Sequence, residues 1–145
     1  MGKKTIGGIG ILVLALGMGT PSSAHVKKFP SSVVITRAAL SPTAASDVKL
    51  QGAAEYGGKV RSKRKACRKD RRVRVYHEIK GPDPVIGGGK TRPGGNWEIH
   101  GSAPPDGDLV YAIVARKVLR SASGHRHVCK AARSHYVAFP LIPKP

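Results

Sequence analysis

Arg72-Val73-Arg74-Val75-Tyr76-His77-Glu78-Ile79 opens with charged and apolar side chains in strict alternation. A period of two marks a strand with one face in a core and the other in water. Arg72 and Arg74 then point outward, and Val73 and Val75 point inward. Asn96-Trp97-Glu98-Ile99-His100 repeats the pattern, with Trp97 and Ile99 on one face. A buried Trp97 brings a large apolar surface and an indole N–H that needs an acceptor.

Further β-rich runs lie on either side. Ser31 to Arg37 is β-branched, and Val48-Lys49-Leu50-Gln51 is a weaker run. Glu55 to Ser62 holds Tyr56, Val60 and a Gly57-Gly58 pair that suggests a bulge. Pro84 to Lys90 carries Val85-Ile86 and then three glycines. Leu109 to Leu119 reads as one long strand, and His135 to Phe139 as a closing one. Turn signals separate them: Gly81-Pro82-Asp83-Pro84, Arg92-Pro93-Gly94-Gly95, Pro104-Pro105-Asp106-Gly107 and Ser123-Gly124. About seven short strands so punctuated predict an all-β chain, a single Greek-key-type β-sandwich.

Lys3 and Lys4, the apolar run Ile6 to Met18 and Ser22-Ser23-Ala24 form the three parts of a secretory signal peptide. Cleavage is expected after Ala24, and the run is too short for a bilayer span. The domain expectation is a leader over 1–24, a first strand and loose connection over 25–47, a β-sandwich over 48–139 and a tail over 140–145. The mature chain is expected to be secreted or held in the cell envelope, with no integral membrane span.

The chain has two cysteines, Cys67 and Cys129. In an exported protein they are expected to pair. The 145 residues carry 26 Lys and Arg against eight Asp and Glu, a formal net charge of +18. Only Lys3 and Lys4 of these cations lie in the leader. Such a charge attracts polyanions.

The charge is densest in one run. Lys59, Arg61, Lys63, Arg64, Lys65, Arg68, Lys69, Arg71, Arg72 and Arg74 stand against Asp70 alone. These ten are the candidate polyanion-binding residues, and Arg116, Lys117, Arg120, Arg126 and Lys130 extend the patch. Aromatic side chains are nearly absent from the run, so stacking on nucleic-acid bases has little support there. Anionic polymer or an envelope surface is the expected partner, ahead of nucleic acid.

Three other patterns point to little chemistry. Gly87-Gly88-Gly89-Lys90-Thr91 resembles a phosphate loop, but Pro84 stands where the first glycine belongs. A glycine hairpin is the expectation. His125 and His127 share a face on an extended strand, but a zinc site needs three or four converging ligands. The eight acids are scattered, and Asp106 and Asp108 flank a turn. No nucleophile signature appears, so neither enzyme activity nor a cofactor or metal is expected.

The order of short motifs also carries a resemblance. Gly58-Lys59-Val60, Arg72-Val73-Arg74-Val75-Tyr76, Gly87 to Thr91, Gly95-Asn96-Trp97 and Gly107-Asp108-Leu109-Val110-Tyr111-Ala112 follow one another. This resembles the prealbumin-like β-sandwiches found as carboxypeptidase-regulatory-like and bacterial Ig-like modules of exported proteins. It covers roughly residues 55–138. The cysteine pair and the basic hairpin Ser121 to Lys130 depart from the usual pattern. The resemblance implies a sandwich serving as a spacer, an adhesive part or a binding module. The functional expectation is a non-catalytic exported binding or structural module, with a nucleic-acid-binding protein or nuclease and a pure envelope spacer as alternatives.

Overall fold

The computed structural model describes residues 25–42, 52–121 and 124–141. The expected leader 1–24, the Val48–Gln51 run and residues 142–145 of the expected tail lie outside these.

The described chain is all-β, with strands β1 Val26–Phe29, β2 Ser32–Leu40, β3 Ala53–Arg61, β4 Arg72–His77, β5 Val85–Lys90 and β6 Asn96–Ser102. Then come β7 Leu109–Val114, β8 Lys117–Arg120, β9 Arg126–Cys129, β10 Ala132–Arg133 and β11 Val137–Ala138. A 3-10 turn spans Lys65–Cys67. No helix of the described residues is long and apolar enough to cross a membrane.

Eight strands form one large sheet in the order β10-β7-β4-β5-β6-β3-β2, with β11 also on β7. β4, β5 and β6 are consecutive neighbours, and β7 returns to lie beside β4, which is a Greek key. The sheet nearly closes on itself. Just beyond β11, Leu141 exchanges backbone hydrogen bonds with Ala38 of β2, at 2.9 and 2.6 Å. The wall therefore includes β2 and Leu141, both outside the 48–139 span expected to hold the sandwich.

Alternation decides what the wall encloses. Val73 and Val75 of β4 face inward, as do Val110, Ala112 and Val114 of β7. They meet Tyr56, Val60, Trp97, Ile99 and Phe139 in one core. Burying each such valine contributes roughly 1.5–3 kcal/mol. Trp97 lies opposite Gly58, where a Cβ would come within 2.4 Å of the indole ring. The indole needs that space. Its Nε1 is buried and finds no acceptor among the described residues, contrary to expectation. The expected bulge is present, but Thr36 of β2 is the extra residue, opposite the Gly57-Gly58 pair.

Three elements differ from the sequence reading. Gly87, Gly88 and Gly89 lie inside β5 and form no hairpin turn. The expected Leu109–Leu119 strand breaks at Ala115-Arg116 into β7 and β8. β8 turns away to pair with β9, and β9 pairs in parallel with β1 to make a separate three-stranded sheet. Cys129 is the last residue of β9.

The connections β4–β5 and β6–β7 share the end of the barrel marked by the His77–Val110 pair. His77 Nε2 lies 2.7 Å from Asp108 Oδ2. Tyr111 donates its hydroxyl to Asp83 Oδ2 at 2.7 Å, and the backbone N–H of Ile79 donates to Asp83 Oδ1. The Tyr111 bond, then the Ile79 bond, hold the Asp83 carboxyl below the usual carboxylate range.

Burial first, and the Asp83 bond second, push Tyr111 up to about 12 from 10.0. Below the unfolded value its stabilising effect is complete; it is lost as the pH rises through the folded one. Tyr56 is raised by burial in the same sense. Urea unfolding of the wild type should show stability falling from pH 10 upward. Y111F should show a shallower fall, and parallel curves would refute this origin of the alkaline loss.

Candidate functional site

The opposite end of the barrel carries the cation-rich run. Residues 62–71 cross from β3 to β4 over it, and their shape rests on backbone hydrogen bonds. Cys67 N–H donates to Arg64 O and Arg68 N–H to Lys65 O, which closes the 3-10 turn. Thr91, at the end of β5, clasps the loop from below. Its Oγ1 accepts from Arg71 N–H at 2.8 Å and donates to Arg68 O at 2.5 Å. Its main chain bonds both Asp70 and Arg71.

Cys67 and Cys129 are joined, with Cα atoms 5.4 Å apart. The bond ties this loop to β9 across 62 residues of sequence. Beside it lies Arg71, which is 1% exposed. Its guanidinium donates through Nε and Nη2 to Ala115 O, through Nη2 to Lys130 O, and through Nη1 to Cys67 O and Ser31 Oγ. Arginine has five N–H donors, and each is used. All the acceptors are neutral. Burial pushes the guanidinium below its ordinary value, but it keeps its charge. Arg71 is therefore withdrawn from the candidate polyanion-binding set. A charge buried this deeply cannot meet a polymer, and its work is to gather four segments of chain.

The other nine candidates are arranged around it. Lys59, Arg61, Lys63, Lys65, Lys69, Arg72 and Arg74 are exposed. Arg68 is half-buried and donates Nε–H to Ser62 O at 2.7 Å. Arg64 is half-buried, its guanidinium 5.1 Å from the centre of the Phe29 ring, which also receives Lys27 Nζ at 5.6 Å. Lys117 bonds Lys69 O through Nζ. Arg61, Lys63 and Arg68 line an open groove of about 420 Å³ with Ser31, Ser32 and Ser62. Arg72 and Arg74 line a second of about 280 Å³, with Lys90 and Gly88.

The charges separate by end. Four of the eight acids, Glu78, Asp83, Asp106 and Asp108, lie on the two connections at the far end. Glu55 and Glu98 are paired on the wall, with Arg37 and Arg92 respectively. Only Asp70 sits within the basic loop, 3.8 Å from Lys69. The described residues therefore present one strongly positive end.

Two features escaped the sequence reading. Lys90 lies directly opposite Arg72, although far from it in the chain. Its neighbours on β5 are glycines, which carry no apolar alternation to reveal an outward position. Tyr76 and Tyr111 stack at 5.2 Å as cross-strand partners on the outer face. Arg133 covers Tyr111 at 3.7 Å from the ring centre and bonds the hydroxyl of Tyr136. The alternation in β4 already puts Tyr76 outward, but the uniformly apolar β7 carries no mark of the face on which Tyr111 lies, and only the register of the two strands pairs them.

Replacing Arg71 by Met leaves three carbonyls and a hydroxyl without their donor, and should destabilise the protein by about 3–5 kcal/mol in denaturant unfolding. R71K recovers only part of this, because an ammonium cannot span the acceptors. Removing the disulfide in C67A/C129A should cost about 4 kcal/mol. Unchanged midpoints in either case would contradict these roles. The chain matches no protein-family model and no curated protein.

Proposed function

We propose that the protein is a non-catalytic exported binding module that holds anionic polymer, of the cell envelope or its surroundings, against the positive end of its barrel. The observation that carries this reading is the exposure of Lys59, Arg61, Lys63, Lys65, Lys69, Arg72 and Arg74 around one end. Four acids are placed at the other end. Repulsion among gathered cations disfavours the fold, so an arrangement that concentrates them suits an anionic counterpart.

Export is supported by the leader pattern over residues 1–24 and by the disulfide, which persists in oxidising compartments. The prealbumin-like resemblance supports the same role. Its motifs fall on wall strands: Gly58 and Val60 on β3, Val73 to Tyr76 on β4, Gly87 to Lys90 on β5, Trp97 on β6 and Tyr111 on β7. The tyrosines on the outer face give nucleic acid little added weight. Tyr111 is occupied on one side by Tyr76 and on the other by Arg133, so its ring offers no free face to a base.

Binding to anionic vesicles, dextran sulfate and a DNA oligonucleotide at low and high salt tests the reading. Log affinity should fall linearly with log salt concentration. The quadruple variant K59Q/R61Q/K63Q/K65Q should reduce the slope by roughly one for each cation that contacts the polymer. K80Q, at the acidic end, should leave it unchanged. Retention that does not respond to salt would overturn the proposal.

A further inference from the structure

Within the positive end, one place is built against its own stability. Arg72 and Lys90 face each other directly across β4 and β5. Arg74 lies two residues along on the same outer face. Like charges directly opposite in an antiparallel pair are destabilising. Among the described residues, no carboxylate forms an ion pair with any of the three.

The position opposite Arg74 is Gly88. Its two neighbours are glycine for a packing reason. A Cβ on Gly87 would come 2.8 Å from Ile99 Cγ2, and one on Gly89 would come 2.9 Å from Ile99 Cγ1. Gly88 has no such neighbour. A Cβ there would meet Val73 O at 3.8 Å and Arg74 Cγ at 3.9 Å, which is ordinary contact. Nor does its backbone require glycine, since it is not among the residues with positive φ. A glycine inside a strand costs roughly 0.5–1 kcal/mol relative to alanine. Gly88 thus bears this cost with no demand from packing or conformation.

Two unfavourable choices, facing cations and an unforced glycine, therefore meet in one groove of about 280 Å³. Bare main chain forms its floor and Arg72, Arg74 and Lys90 form its rim. A bound anion would reverse the sign of the repulsion, and a side chain at position 88 would stand where the anion sits. We propose that this groove is a seat for one tetrahedral oxyanion, a phosphate or sulfate group carried by the polymer. Two guanidinium forks can each give paired hydrogen bonds to such a group, and the Lys90 ammonium adds a point charge. The inference rests on the polymer-binding reading and localises within it. Most of the positive end attracts by its field, and this groove holds by geometry.

The test uses backbone-amide NMR of the full mature chain, titrated at constant ionic strength with inorganic phosphate and, separately, sulfate. Saturable shifts at Gly88, Gly89 and Lys90 are expected. G88V suits a strand and fills the groove; it should fold with equal or higher thermal stability and bind the anion about tenfold more weakly or worse. R72Q/K90Q should likewise gain stability and lose the shifts, which keeps the test open should G88V fail to fold. Polymer arms with a DNA oligonucleotide, dextran sulfate and a polyuronate distinguish phosphodiester, sulfate-ester and carboxylate sources. R72Q/R74Q/K90Q should weaken binding of the favoured polymer more than the charge-matched K63Q/K65Q/K69Q does. Absence of saturable shifts, G88V binding the anion like wild type, or equal losses from the two triple variants would overturn the seat, while salt-dependent polymer binding would still stand. Wild type that binds none of the polymers at low salt would instead remove the broader reading.

Discussion

The guanidinium of Arg71 is the interaction on which the rest of the positive end depends. The 62–71 connection buries only Cys67 and Arg71, and the three-stranded sheet places no residue in the main core cluster. What they have are main-chain carbonyls, at Cys67, Ala115 and Lys130, whose hydrogen-bonding capacity must be met somewhere. One planar cation meets them together. It also explains why the long apolar run after Leu109 does not continue as one strand. Ala115 O receives two bonds from Arg71, and Ala115 N–H donates to Arg72 O. The chain is held at that point and leaves the barrel wall to form β8. A buried charge satisfied only by neutral groups is costly on its own. Here each donor has an acceptor, and the disulfide beside it restricts the alternatives open to the unfolded chain.

From this anchor follows the surface. With the loop fixed, Arg61, Lys63, Lys65 and Lys69 are presented together, and the regular alternation of β4 adds Arg72 and Arg74 to the adjoining face. The far end is organised by other means. There Asp83 and Asp108 serve as acceptors for Tyr111 and His77. The acids are thus spent on fastening connections, whereas most of the cations face water. That division makes the charge of the described residues directional.

Two wall strands, β4 and β6, were legible because their sequences carry a period. Val73 and Val75 of β4 and Trp97 and Ile99 of β6 mark their buried faces without any knowledge of the partners. Lys90 was not legible, since its role arises from register with Arg72, and Gly87 to Gly89 hide the alternation that would have placed it. β1 was also missed: Val-Lys-Lys-Phe has no alternation, and its pairing with β9 depends on a loop tied down far away. Arg71 shows the limit most clearly. By type and neighbourhood it belongs with nine other cations, seven of them exposed, and only the three-dimensional convergence of Cys67, Ala115 and Lys130 sets it apart. The cysteine pair was readable from count alone, whereas its position at the end of β9 was not.

The bridge between Ala38 and Leu141 has a kinetic consequence. These residues lie about a hundred positions apart, and β3 and β6 are likewise joined across a long separation. Closing such distant pairs requires much chain entropy to be given up before the contacts form, so folding should be slow compared with a helical chain of this size. A polypeptide that lingers in an open state before its wall is sealed keeps the main-chain groups of Ala38 and Leu141 unpaired until late, so the seam they form is among the last parts of the wall to become rigid.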